Sequence, residues 1–205
     1  MSFLQYLING ISLGSVYAII ALGYTMVYGI AKMLNFAHGD VIMVGAYVIF
    51  TIISTMGYPP IVGVIVAVAL CTVLGITIER IAYKPLRGAS SLAVLITAIG
   101  VSYFLQNMAL IVFGADTKSF NSIVKFGPFH LGGLVISGET LVTIVSCIII
   151  MIILTTFINK TKAGQAMLAV SEDKGAAVLM GINVNQTIAL TFAIGSGLAA
   201  IAGAL

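Results

Sequence analysis

Residues 141–158 read "LVTIVSCIIIMIILTTFI", without one charged side chain. Residues 161–186 follow almost at once and read "TKAGQAMLAVSEDKGAAVLMGINVNQ", small, alanine-rich and charged. About 20 consecutive apolar residues cross the hydrocarbon core of a bilayer, so the first stretch reads as a membrane helix. The second cannot be immersed. A chain that alternates between two such textures is a membrane protein whose polar segments lie at the bilayer faces.

The whole sequence supports that reading. Of 205 residues, 60% are hydrophobic and 7% charged, with a mean hydropathy of +1.19. Soluble domains carry about 25% charged residues because they must face water. The net charge of +3 comes from nine Lys and Arg spread thinly along the chain. They make no basic patch, so nucleic acid is not an expected partner. Cys71 and Cys147 sit inside apolar runs and read as buried small hydrophobes. The N-terminus lacks the basic region of a signal peptide, so the first apolar run reads as retained structure.

Besides 141–158, apolar runs fall at 3–31, 41–56, 61–78 and 92–113, and from about Thr187 to the last residue. The fold class that follows is an all-α polytopic membrane protein, a helical bundle of about six or more spans in one domain, 1–205. The sixth run is still apolar at Leu205, which reads as a C-terminally incomplete domain. Gly10 and Gly14 make a G-x-x-x-G pair, read as ordinary helix packing.

Lys and Arg in short loops mark the cytoplasmic side. Arg80, Lys84 and Arg87 follow the third run, and Lys160, Lys162 and Lys174 follow the fifth, whereas the loop at 57–60 carries no charge. The crossings alternate consistently when both basic loops are cytoplasmic and the N-terminus is outside. The segment 114–138 is then an external loop, punctuated by glycine and carrying β-prone residues Leu134, Val135 and Ile136. A plain connector is favoured there over a substrate-recruiting lid.

Residues 31–40, "AKMLNFAHGD", join two apolar runs with too few residues for a roomy loop. A charge at the centre of a span costs about 2.5–3.5 kcal/mol on insertion scales, so Lys32, Asn35, His38 and Asp40 need a bundle interior, a wet cavity or the interface. On a helix Asn35 and His38 share a face and Asp40 does not. Gly39 would permit a break. Two readings stand side by side: a broken helix lining a translocation path with Asn35, His38, Gly39 and Asp40, and a tight cytoplasmic turn whose polar groups are wet. A His38–Asp40 dyad with Ser12, Ser15 or Ser102 as nucleophile is the enzymatic reading. The sequence has no H-E-x-x-H or Walker motif to support it, and its one G-x-S-x-G, at 10–14, lies in the middle of an apolar run and not at a strand-to-helix turn.

The segment 163–180 parses as two short helices. Ala163, Ala166, Met167 and Val170 repeat at helical spacing. Ser171 is the expected N-cap of the second helix, Glu172 and Asp173 fill its first turn, and Gly181 closes it in a left-handed conformation. Asn185 is the expected cap of the next membrane helix. Helices this short are marginal alone in water, so a surface must hold them, either their own bundle or a partner.

The stretches "GYTMVYGIAKMLNFAHGD" (23–40), "IERIAYKPLRG" (78–88), "AIGVSYFLQN" (98–107) and "GQAMLAVSEDKGAAVLMGINVNQTIALTFAIG" (164–195) resemble permease subunits of bacterial ATP-binding-cassette importers, more narrowly the branched-chain amino acid permease family. The resemblance covers essentially the whole chain. It implies a multi-pass subunit of the bacterial inner membrane that has no ATP site and no cofactor. The implied partners are cytoplasmic ATPase subunits, a second permease subunit of the same or a paralogous kind, and a periplasmic or lipid-anchored substrate-binding protein. It also implies that 159–186 is the coupling loop docked on the ATPase, with Gly164, Ala166, Ala169, Glu172, Asp173, Ala177 and Gly181 matching the family's pattern. The implied cargo is an amino acid of the Leu, Ile and Val type. Permeases for amides, urea-like solutes or sugars, and a secondary transporter working without ATP, are the alternatives.

Overall fold

The computed structural model describes residues 3–118, 127, 129–131 and 134–205. Among the described residues eight α-helices follow one another: α1 (Phe3–Ala31), α2 (His38–Phe50), α3 (Pro60–Ile78), α4 (Ser91–Phe113), α5 (Gly138–Lys160), α6 (Lys162–Glu172), α7 (Lys174–Leu179) and α8 (Val184–Ala202). Six of the helical stretches are long and apolar enough to cross a membrane. The protein is an all-α polytopic membrane protein.

The helix starts follow from ordinary side-chain chemistry. Ser90 and Ser137 each offer a hydroxyl oxygen to a backbone N–H three residues on, starting α4 and α5. Proline stands at the first position of α3, where its missing N–H costs nothing. The spans overrun two of their expected ends. The second begins at His38, not 41, because its polar residues are taken inside the helix. The third continues past Ile78 through a π-turn, Glu79–Tyr83, and a 3-10 turn, Lys84–Leu86. Glu79 does not mark the exit to water that its charge suggests, because its carboxylate is buried and ion-paired with Arg87.

α8 is the central post of the bundle. It packs on α1, α2 and α3 and is the most buried of the six spans. Small residues make this possible, as is usual where lipid supplies no hydrophobic drive between helices. A Cβ on Gly195 would lie 2.9 Å from Val27 Cγ2 and 3.1 Å from the Gly23 carbonyl, so α1 and α8 cross almost backbone to backbone. Gly10 and Gly14 make no such close approach: among the described residues, no atom beyond their own stretch of helix lies within 4 Å of a Cβ built on either. The close crossing of α1 falls nine residues beyond Gly14, where two glycines from different helices meet.

A small antiparallel pair, β1 (Phe129–Leu131) with β2 (Leu134–Ile136), stands between α4 and α5. The β-prone residues Leu134 to Ile136 form the second of these strands. Most of the remainder of 114–138 lies outside the described residues.

Candidate functional site

α1 ends at Ala31, and Lys32 turns the chain with a left-handed φ of 57°. Residues 32–37 are not helical. Met33, Asn35 and Ala37 are buried while Lys32 and Phe36 are exposed, and the segment closes in a turn at Phe36 and Ala37, with His38 N bonded to the Asn35 carbonyl at 3.2 Å. The segment runs back along α1, so that His38 packs against Gly23 and Tyr24. Those residues stand seven and eight positions before Ala31, or about 10–12 Å along a helix rising 1.5 Å per residue. Non-helical backbone at membrane depth is tolerated where protein covers it, and here it is covered by α1, α3 and α8.

Asn35, His38 and Asp40 are buried, so the wet-turn reading fails for all of the segment's polar groups but Lys32. Asn35, 4% exposed, accepts a 3.0 Å hydrogen bond from the Tyr83 hydroxyl. Tyr83 is itself buried against Phe192 of α8. His38 is equally buried, and its Nε2 has no hydrogen-bond partner. Asp40 faces elsewhere and accepts from Gln106 Nε2 of α4 at 2.9 Å, an amide that also reaches Ser102 Oγ at 3.2 Å. Two expectations are corrected. Asn35 lies outside the helix, so it shares no helical face with His38. Gly39 is not the break: it lies inside α2 with open space around it, and the turn is made at Lys32. His38 and Asp40 face different neighbours, so no dyad forms. Ser15 donates to the Ile11 carbonyl of its own helix at 2.8 Å.

The charged segment 161–186 is two helices, α6 and α7. Thr161 caps α6 by accepting from Gly164 N at 3.0 Å. Gly164 lies against the Phe157 and Ile158 backbone at the end of α5, with no room for a side chain. Met167 and Val170 are buried on the face that meets α1, α5 and α8, and Ala163, Ala166 and Ala169 are half-buried. Asp173, not Ser171, caps α7, accepting from Gly175 N at 2.7 Å and Ala176 N at 3.0 Å. Its Oδ1 reaches two amides at once. Ser171 instead donates to the Leu168 carbonyl, and Glu172 ends α6 rather than starting α7. Ala177 is buried. Gly181 closes α7 at φ 80°, with Ile182 N bonded to the Ala177 carbonyl at 3.0 Å and its own N–H to Val178 O at 2.9 Å. This double bond pattern satisfies the last carbonyls of the helix. Asn183, not Asn185, caps α8.

These two regions touch. Lys174 Nζ, on the first residue of α7, donates to the Ala31 carbonyl at 2.8 Å. Burial holds the Lys174 ammonium below its ordinary lysine pKa, and the positive charges of Arg87 and Lys32 add to the effect. Arg87 pairs with Glu79 and donates to Asn185 of α8. The end of α3, the start of α8, the start of α7 and the end of α1 are therefore knitted at one end of the bundle.

The composition signal did not single out Glu79, Tyr83, Gln106, Gly23 or Gly195. Glu79 and Gln106 had a usable signal, as polar side chains within or bordering long apolar runs. The glycines had none, since a close approach between distant helices leaves no local trace.

The family described as branched-chain amino acid transport system / permease component matches residues 6–205. The high-affinity branched-chain amino acid transport system permease protein BraD of Pseudomonas aeruginosa is 42% identical over 215 residues, covering 99% of this chain and 70% of its own. The corresponding protein LivH of Escherichia coli is 42% identical over 216 residues, with the same coverage. A probable branched-chain amino acid transport permease protein of Methanocaldococcus jannaschii is 29% identical over 197 residues, covering 91% of this chain and 61% of its own. No solved structure matches the chain. With six apolar spans, a match over nearly the full length and relatives of one kind, the chain belongs to the family of branched-chain amino acid transport permease components.

Proposed function

We propose that the chain is the permease subunit of an ATP-binding-cassette importer that carries branched-chain amino acids into the cell by alternating access. In this reading the domain is 1–205, the N-terminus and the loop 114–138 face outside, and 159–186 is the cytoplasmic coupling loop. ATPase subunits dock on α6 and α7, a second permease subunit completes the path, and a periplasmic or lipid-anchored binding protein delivers the solute. The membrane is the bacterial inner membrane, as suggested by the bacterial relatives.

The observation that carries the reading is the bond from Lys174 to the Ala31 carbonyl. A push on α6 and α7 reaches the end of α1 through it, and so reaches the non-helical segment that begins at Lys32. That segment ends on His38, whose ring packs against Gly23 where α1 crosses α8. Two packings of this segment, one closed on Tyr83 and Gly23 and one withdrawn, supply the bistable element that alternating access needs. Asn35 and His38 then act as the inner closure of the path. Gly39 and Asp40 flank it, with Asp40 fixing α2 against α4.

The outer surface of α7 supports docking. Val178, Leu179 and Met180 are exposed, Leu179 at 89%, at the foot of the bundle next to Gly181. Three apolar side chains in a row outside the spans suit a cleft on a cytoplasmic ATPase. The test is to co-purify the subunit with its native partners and measure which solutes stimulate ATP hydrolysis. Stimulation by Leu, Ile and Val supports the reading. Stimulation by amides, urea-like solutes or sugars alone changes the cargo, and uptake by the subunit without any ATPase contradicts the mechanism.

A further inference from the structure

Beside the Lys174–Ala31 bond lies a pocket of about 320 Å³ lined by Lys32, Arg87 and Lys174, with Tyr28, Ser91 and Leu95 among its other walls. Three cations converge there from α1's end, the turn after α3 and the start of α7. The only carboxylate that meets them among the described residues is Glu79, which pairs with Arg87. Asp173 Oδ1 is turned to the α7 amides. Arg87 Nε is buried without a hydrogen-bond partner, and burial, with the two cationic neighbours adding to it, disfavours the Lys174 ammonium. A pocket with three cations against one carboxylate is complementary to an anion.

Its position selects the kind of anion. The pocket is bounded by the last turn of α1 and the first turn of α4, the level at which phospholipid headgroups lie. α1 packs chiefly on α5 and α8, and α4 on α2. Tyr28 on α1, and Leu92 and Ile96 on α4, are exposed apolar side chains leading away from the pocket along the two helices. The geometry points to a binding site for an anionic phospholipid, its headgroup phosphate held by Lys32, Arg87 and Lys174 and its acyl chain lying along α1 and α4. Basic pockets between membrane helices take lipid phosphates in this way. A lipid seated there brings α7 and the end of α1 under the control of the surrounding bilayer, whatever solute the protein carries.

The test is native mass spectrometry of the purified full chain in uncharged detergent, titrated with phosphatidylglycerol, phosphatidylcholine or inorganic phosphate. Phosphatidylglycerol should be retained well above phosphatidylcholine. Lys32→Gln and Lys174→Gln should each lower retention about fivefold, while Lys32→Arg and Lys174→Arg keep it. The arginine variants separate a lost charge from a disturbed fold. Equal retention of the two lipids, or retention indifferent to both glutamine variants, overturns the site. Displacement of the lipid by millimolar inorganic phosphate assigns the pocket to a free anion and overturns the lipid.

Discussion

Lys174 Nζ donates to the Ala31 carbonyl across 143 positions of sequence, at 2.8 Å. One side chain outside the membrane thus satisfies a terminal carbonyl of the longest membrane helix. The last carbonyls of any helix lack partners within it, and a lysine at a helix C-terminus also meets the negative end of its dipole. The bond holds α7 to the point where α1 stops and the non-helical segment starts.

The ion pair beneath it should be the most costly polar contact to break. Glu79 is 1% exposed and Arg87 pairs with it. Removing one partner leaves a buried charge, which costs about 3–5 kcal/mol. Glu79→Ala and Arg87→Ala should each lower the Tm of the detergent-solubilised protein. The double variant Glu79→Ala, Arg87→Ala should be less destabilised than the sum of the two single changes. Additive losses in a double-mutant cycle would show that the two side chains do not act together.

The α1–α8 crossing leaves no room for added carbon. Gly23→Ala places a methyl 3.0 Å from His38 Cε1 and 3.1 Å from the Gly195 carbonyl. Overpacking of this kind costs about 1–3 kcal/mol. Removing the ring with His38→Ala should recover part of that loss, and His38→Ala alone should lower uptake without preventing assembly. A Gly23→Ala protein as stable as the parent, measured by thermal unfolding, would contradict the packing.

Much of the architecture was legible because membrane insertion writes itself into composition. Residues 3–31 and 92–113 match α1 and α4 to within one position, since long apolar runs in lipid have little alternative to helix. The junctions were less legible. Ser171, Asp173, Asn183 and Asn185 are all competent caps, and sequence alone does not say which one leaves the helix; tertiary contacts decide, as when Arg87 engages Asn185 and leaves the cap to Asn183. The depth of residues 32–37 was hidden for another reason. A polar run between two spans looks like a surface turn, and only Tyr83 and Gly23, from distant parts of the chain, show that it folds inward.

Gly181 holds a φ of 80° at the end of α7. A side chain there costs about 1–2 kcal/mol in the left-handed region, so Gly181→Ala should loosen α7 and raise amide exchange at Ile182, whose N–H is bonded to Ala177. Glu172 is exposed at the end of α6 with no cap to supply. Glu172→Ala should leave Tm nearly unchanged while weakening coupling to the ATPase. Unimpaired uptake in both variants would remove 159–186 from the coupling role.

The Lys174 ammonium should titrate below the ordinary lysine value of 10.5 because burial disfavours its charge and Arg87 and Lys32 repel it. Between its folded and unfolded pKa values the unfolded chain binds the extra proton, so this group's contribution to stability rises with pH through that window. Nuclear magnetic resonance of reductively methylated lysines should find one resonance titrating early, absent in Lys174→Arg. A single common titration for all lysines would contradict the crowding of positive charge.

In the proposed importer, force on α6 and α7 reaches the membrane path through Lys174. This coupling is tested most directly by the ratio of solute transported to ATP hydrolysed in proteoliposomes holding the assembled importer. Lys174→Met should retain ATP hydrolysis while transport per ATP falls, with Lys174→Arg restoring much of it. Transport per ATP equal to that of the parent in the methionine variant would contradict the claim.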